Sequence, residues 1–382
     1  MRMQKTEVRA TGLSIALLLL LGLVVAPALR AQAPPRYKVD PFWPKEYPDN
    51  WILSNVHGIF ADKQDHIWVL TDPGAMAANE IGAAQTPPHA VCCVPSPSVM
   101  VLDAATGSVV KSWGHPGFTP DWPTAEHGLW VDGEGNVWLG GNAVALDGKR
   151  PADRQVLKLS NDGKLLLEIG HPTMNPQNNQ DTSFLGGPGE MTVDDAAHEV
   201  YIADGYMNKR VVVYDSNTGA FKRGWGAYGM PLSQIDNGKP APHDPATPAK
   251  QFGGPVACVK ISVDGLVYVC DRTGDRVQVF TKEGKFVKEF IIHPETLDRG
   301  SAWGLTFSHD PKQNFLLVTG GEDGIVWIVN RNDGKLAGQF GHKGHMAGQF
   351  DAVQAITMDS RGNLYTAEVA PDHRVQKFVL QK

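Results

Sequence analysis

Residues 338–378 read GQFGHKGHMAGQFDAVQAITMDSRGNLYTAEVAPDHRVQKF. Within them Ala355 and Thr357 alternate with Ile356 and Met358, and the run ends at the polar turn Asp359-Ser360-Arg361-Gly362. A second run covers Leu364 to Ala367, a polar loop follows, and the segment from His373 to Phe378 begins a third. Period-2 patterning interrupted by turn residues predicts short antiparallel strands. Each copy has a fourth strand upstream, as in Lys335 to Phe340. One such unit is one four-stranded blade.

The unit recurs along the chain, starting at His57 (HGIFADKQDHIWVLTD), His127 (HGLWVDGEGNVWLGG), Gly189 (GEMTVDDAAHEVYIADG), Ala257 (ACVKISVDGLVYVCDR), Trp303 (WGLTFSHDPKQNFLLVTGG) and Gln354 (QAITMDSRGNLYTAEV). Six copies spaced by roughly forty to seventy residues predict an all-β, six-bladed β-propeller, because a blade needs about forty residues and the loops vary. The last copy stops after its third strand. Tyr37 to Phe42 is short and strand-like, so an N-terminal strand is expected to complete the last blade and remove the free sheet edges. The 41 glycines and 27 prolines suit a turn-rich all-β chain.

The N-terminus carries Arg2, Lys5 and Arg9, then an apolar stretch from Leu13 to Ala28, then Ala31-Gln32-Ala33. This order predicts a secretory signal peptide over residues 1–33; Pro34 is an unfavourable first mature residue, so cleavage after Ala28 or Ala31 stays open. The other reading, an uncleaved anchor, needs about 20 apolar residues, more than this stretch offers. The expected location is periplasmic or secreted, with no membrane attachment after cleavage. Residues 34–382 then form one propeller domain, expected as a monomer. Without residues 1–33 the chain holds 31 basic and 40 acidic residues, a net charge of −9, which argues against nucleic-acid or anionic-membrane partners.

Four cysteines in an exported chain raise the question of disulfides. In the repeat register Val131 faces Val137 and Ile261 faces Val267, which sets Cys258 opposite Cys270. Directly opposed strand residues lie about 4.5–5.5 Å apart at Cα, inside disulfide range, and the alternative is two buried thiols. Cys92 and Cys93 are left to each other, as a rigid loop clip or as a redox-labile pair.

Loop length is uneven. Turns on one face are minimal, as at Asp62–Asp65, Asp132–Gly135, Asn161–Gly163, Lys282–Gly284, Asn332–Gly334 and Asp359–Gly362. The long insertions, residues 72–97, 114–126, 141–154, 170–188, 227–251 and 293–302, all fall on the opposite, top face. Loops gathered around one mouth of a rigid scaffold usually build a site. The first residues of the inner strands line that mouth: His57, His127, Gly189 with Glu190, Ala257, Trp303 and Gln354. Loops between second and third strands add Asp204, Tyr206, Asn208 and Arg210, then Asp271, Arg272 and Arg276, then Asp323. Histidines, a carboxylate, a tyrosine and an arginine in one cleft can bind a metal or a polar substrate and move protons. The plainer reading is a wet channel whose Asp–Arg pairs tie blade to blade. His66, His115, His171, His198, His342 and His345 read as solvated turn positions. No zinc-finger spacing, Gly-x-Ser-x-Gly elbow or phosphate-binding glycine loop occurs.

The phrases GQFGHKGHMAGQFDAVQAITMDSRGNLYTAEV and VYIADGYMNKRVVVYD resemble the NHL repeat, and all six copies can be laid on it. Within that class the chain looks most like the peptidyl-α-hydroxyglycine α-amidating lyase domain. The resemblance implies a lyase that cuts a peptidyl-α-hydroxyglycine into an amide and glyoxylate, with zinc on three histidines, calcium deeper in the channel, and a catalytic tyrosine and arginine. By the matching motifs DGYMNKR and CDRTGDR, Tyr206 and Arg272 take the two catalytic roles. EHGLWVDGEGNVWL gives His127 as the first metal histidine. The other two positions fall at Ala257, or Val256 if the register slips, and at Gln354. His57 and Glu190 are the candidates to restore a nitrogen and an oxygen to a divalent metal, zinc or calcium. Glu190, Trp303, Gln354, Arg210 and Arg276 are expected to contact a small-molecule or peptide substrate. The expectation is thus a lyase-like or hydrolase-like enzyme acting at the top face, the alternative a non-catalytic propeller binding a peptide, glycan or protein there.

Overall fold

The computed structural model describes residues 1, 4, 7, 32–143, 151–239, 244–296 and 298–382. The signal segment lies almost wholly outside the described residues. Residues Pro34–Lys382 form one compact unit.

The protein is an all-β, six-bladed propeller. Blade 1 comprises Val56–Ala61, His66–Thr71, Val99–Asp103 and Val109–Trp113, from the channel outward; blade 2 comprises Glu126–Val131, Val137–Gly141, Gln155–Leu159 and Leu165–Gly170. Blade 3 follows with Pro188–Asp194, Glu199–Asp204, Arg210–Asp215 and Phe221–Trp225, and blade 4 with Val256–Ile261, Val267–Asp271, Arg276–Phe280 and Phe286–Ile291. Blade 5 is Gly304–Phe307, Phe315–Gly320, Ile325–Asn330 and Leu336–Phe340. Blade 6 contains Val353–Met358, Leu364–Glu368 and Val375–Gln381, and its outer strand is the N-terminal Arg36–Asp40, paired antiparallel from Arg36↔Gln381 to Asp40↔Lys377. The clasp ends two residues earlier than the sequence pattern extends, because Phe42 is exposed and Trp43 turns into the core.

Second strands such as Val137–Gly141 and Phe315–Gly320 are buried along their whole length, since both faces of a blade pack on neighbours. Among the described residues six larger apolar clusters each join two successive blades, and a small seventh holds Trp303, Ala352 and Val369. Trp138, Val156 and Met191 join blades 2 and 3, for example, and Ile59, Met100, Tyr365 and Ala367 join blades 1 and 6 across the closure. Each fully buried large apolar side chain contributes about 1.5–3 kcal/mol, so stability is spread around the ring rather than held in one centre.

The short bottom turns share one device. Asp62 accepts hydrogen bonds from the backbone of Gln64 and His66 and from Trp68 Nε1 at 2.8 Å. Asp132 does the same for Glu134, Asn136 and Trp138 Nε1, and Asp359 for Arg361, Asn363 and the Tyr365 hydroxyl. The turn carboxylate thus closes the hairpin and satisfies the polar edge of a buried aromatic.

Cys258 and Cys270 are register partners joined by a disulfide, with a Cα separation of 4.9 Å, so the thiol alternative falls away. Cys92 and Cys93 are also joined. Their loop is stitched to the strand before blade 1 by the parallel pairing of Trp51–Ile52 with Val94–Pro95.

Candidate functional site

The inner strands are not regular where they meet the mouth. In blade 1 Val56 pairs with Thr71 and Gly58 with Leu70, leaving His57 without a partner residue. Ala257 in blade 4 and Gln354 in blade 6 are skipped in the same way. Blade 2 skips Gly128, at φ +71°, where an added Cβ would meet the Gly189 carbonyl oxygen at 2.2 Å. A bulge re-aims a side chain out of the sheet's alternation. Blades 1, 2, 4 and 6 each skip one residue near the channel mouth, blade 3 skips Gly189 and Glu190, and blade 5 pairs regularly.

All six blades contribute to the central group. The His57 and His127 rings lie 4.7 Å apart between centroids. The Tyr206 hydroxyl, from the loop after the second strand of blade 3, stands 2.8 Å from His127 Nε2. Arg272, just beyond the second strand of blade 4, places its guanidinium 4.4 Å from the Trp303 ring and 6.0 Å from that of Tyr206. Arg272 and Gln354 both hydrogen-bond Tyr206. The structure therefore brings together His57, His127, Tyr206, Arg272, Trp303 and Gln354.

Burial governs the charges of this group. His127 is fully buried, and desolvation, then the charges of His57 and Arg272, hold its pKa well below the ordinary imidazole range. His57 is lowered to about 4 by burial and by His373. Desolvation raises Tyr206 against the pull of Arg272, so phenol and imidazole face each other both neutral, and in the Nδ1–H tautomer of His127 the Tyr206 O–H donates to Nε2. Arg272 is lowered by its own desolvation, and its buried Nε has no hydrogen-bond partner among the described residues. Orphaned donors beside a neutral acid–base pair are what an anionic group on a substrate would satisfy.

Glu190 is held 3.1 Å from Lys260 Nζ, which sits 5.3 Å over the Trp130 ring, and its charge also acts on Tyr206. It is half of a buried ion pair rather than a free ligand. Lys260 was not among the sequence candidates, although a lysine inside the apolar run ACVKISV was its signal. His373, in the blade 6 loop equivalent to the one carrying Tyr206, was also missed.

Arg210 and Arg276 are not available to a substrate. Both are fully buried and paired, Arg210 Nε to Asp204 at 2.7 Å and Arg276 Nε to Asp271 at 2.8 Å. These pairs lie within one blade, not between blades. The remaining donors take carbonyls of the incoming top loop, those of Asn179, Asp181 and Phe184 for Arg210 and that of Gln251 for Arg276, which also reaches the Tyr228 hydroxyl. Residues at the start of a third strand point into the loop that leads to the blade, so their side chains anchor it.

A three-histidine zinc centre does not fit this site. Ala257 and Gln354 stand at two of its positions, Tyr206 occupies His127 Nε2, and Lys260 occupies Glu190. No group of three His, Cys, Asp or Glu side chains suited to a metal occurs among the described residues.

No protein-family model matches the chain. In sequence it is similar to peptidyl-glycine α-amidating monooxygenase B of Xenopus laevis, 31% identical over 200 residues, 52% of this chain and 19% of that protein. It is also similar to the peptidylglycine α-amidating monooxygenase of Rattus norvegicus, 29% identical over 196 residues, 50% of this chain and 17% of that protein. Peptidyl-α-hydroxyglycine α-amidating lyase 1 of Drosophila melanogaster is 26% identical over 299 residues, 74% of this chain and 48% of that protein. The chain thus matches between about a fifth and a half of these relatives' lengths. Among the described residues no helix is long and apolar enough to cross a membrane.

Proposed function

We propose that this similarity extends to chemistry, and that the propeller is an exported lyase cleaving the N–C bond of a carbinolamide of the N-acyl-α-hydroxyglycine type, releasing an amide and glyoxylate. The observation that carries the reading is the 2.8 Å contact of the Tyr206 hydroxyl with His127 Nε2, beside the Arg272 guanidinium. The substrate carboxylate pairs with Arg272, whose orphaned donor it satisfies. The substrate hydroxyl gives its proton to the Tyr206 oxygen as Tyr206 passes its own to His127. The C=O bond of glyoxylate forms as the C–N bond breaks, and the electron pair leaves with nitrogen, which takes up a proton to become the amide. Two neutral partners suit such a relay, because neither the tyrosinate nor the imidazolium is stable at rest in so dry a site. Trp303 backs Arg272 and fixes its plane.

The test is glyoxylate release from N-benzoyl-α-hydroxyglycine. Tyr206→Phe, which keeps the ring and removes the proton path, is expected to lower kcat by about 10²-fold or more while the melting temperature stays unchanged. Ala257 and Gln354 in place of histidines favour the second reading, a non-catalytic binding propeller. An inactive wild-type protein that still binds the compound at this mouth would establish it.

A further inference from the structure

The cleavage just described, on which this inference rests, releases a proton at the hydroxyl and takes one up at nitrogen, two different atoms of the substrate. The departing nitrogen must be protonated, yet Tyr206 and His127 are engaged on the hydroxyl, and a guanidinium is too weak an acid to give up a proton. In a six-bladed ring blade 6 stands opposite blade 3, and its loop equivalent to the one carrying Tyr206 carries His373.

That loop is built with care. Arg374 is locked to Glu368 at 2.8 Å, to Asp372 at 2.8 Å and to the Gln349 carbonyl at 2.8 Å. On the other side the Ala370 amide donates to Asn55 Oδ1 at 2.7 Å, tying the loop to the approach to blade 1. Between these anchors His373 takes φ 44°, the left-handed region that a β-carbon disfavours, and such strain persists where the surroundings impose it. The imidazole is largely covered, with 15% of its side-chain surface exposed, and it is close enough for its charge to act on His57. Its Nδ1 lies 3.8 Å from Glu80 Oε1, and Glu80 comes from the long blade 1 loop that also carries the Cys92–Cys93 bond. A largely covered histidine in a mouth loop, within ion-pair distance of a carboxylate, has the chemistry of a proton donor.

We propose that His373 is a second catalytic residue of the mouth, donating a proton from Nε2 to the nitrogen as the C–N bond breaks, and that Glu80 is its positioning residue. The bookkeeping of atoms closes: the hydroxyl proton ends on His127, the His373 proton on the amide, and exchange with water resets both. No further reactant is required.

A leaving-group series tests this. Glyoxylate release is measured for N-benzoyl- and N-(4-nitrobenzoyl)-α-hydroxyglycine with wild type, His373→Asn, His373→Gln and Glu80→Gln. The His373 variants are expected to lose about 10²-fold in kcat on the benzoyl compound and about 10-fold or less on the nitro compound, whose amide anion needs less help. Retained turnover of the nitro compound shows that the variants fold. Glu80→Gln is expected to show the same pattern with a smaller loss. Equal losses on both compounds, or none on either, would overturn the role of His373 while leaving the lyase reading in place. A wild-type protein that releases no glyoxylate from either compound would overturn both.

Discussion

Arg276 and Arg272 are four residues apart in blade 4 and do opposite things. Arg276 is sealed from solvent and spends its donors on Asp271, Tyr228 and the Gln251 carbonyl. Arg272 lies over Trp303 with Nε unsatisfied. The difference is one of place: a third-strand start looks into the incoming loop, and the residue after the second strand looks into the mouth. Charge at the first place is consumed by the fold, and charge at the second stands at the mouth with a donor unsatisfied.

The comparison breaks most visibly at the sealed arginine. Arg276→Ala leaves Asp271 buried without its cation, and the expected cost is about 3–5 kcal/mol, read as a lower midpoint in urea unfolding. Arg210→Ala should cost a similar amount through Asp204. Arg272→Lys sharpens the contrast. Stability should change little, whereas KM for an N-acyl-α-hydroxyglycine should rise about tenfold, because an ammonium cannot make a planar two-point contact with a carboxylate. Stability that falls with Arg272→Lys as far as with Arg276→Ala would erase the distinction.

The smallest expected effect is on the dependence of stability on pH. His57 is depressed to about 4 in the folded protein against about 6.5 unfolded. Between these values the unfolded chain binds a proton that the folded one does not, so stability is intact above pH 6.5 and is lost as pH falls toward 4. His57→Asn should flatten that part of the profile in thermal melts between pH 7 and 4. An unchanged slope would show that His57 is more solvated than its place beside His127 implies.

The propeller was legible because each blade repeats one pattern of alternation and turn, and the Cys258–Cys270 bond because that register extends to neighbours of known pairing. His127 was legible as the first residue of an inner strand, and Tyr206 and Arg272 as residues of second-to-third-strand loops picked out by the motifs DGYMNKR and CDRTGDR. Arg210 and Arg276 misled because a motif marks a position in the chain and not the direction of a side chain, which here depends on carbonyls from another segment. Lys260 was hidden by its strand, where a charged residue two layers down needs Glu190, a residue of the previous blade, to explain it. His373 was hidden because its importance comes from a backbone twist and from Glu80, nearly three hundred residues away.

The closing strand has a mechanical consequence. Arg36 lies beside Gln381 and Asp40 beside Lys377, so force applied at the two ends of the ring loads the clasp from its open end, one hydrogen bond after another. Antiparallel strands peeled in that direction resist far less than strands sheared along their length. Under tension blade 6 should therefore come apart first, and the loop that holds His373 would loosen before any other wall of the mouth.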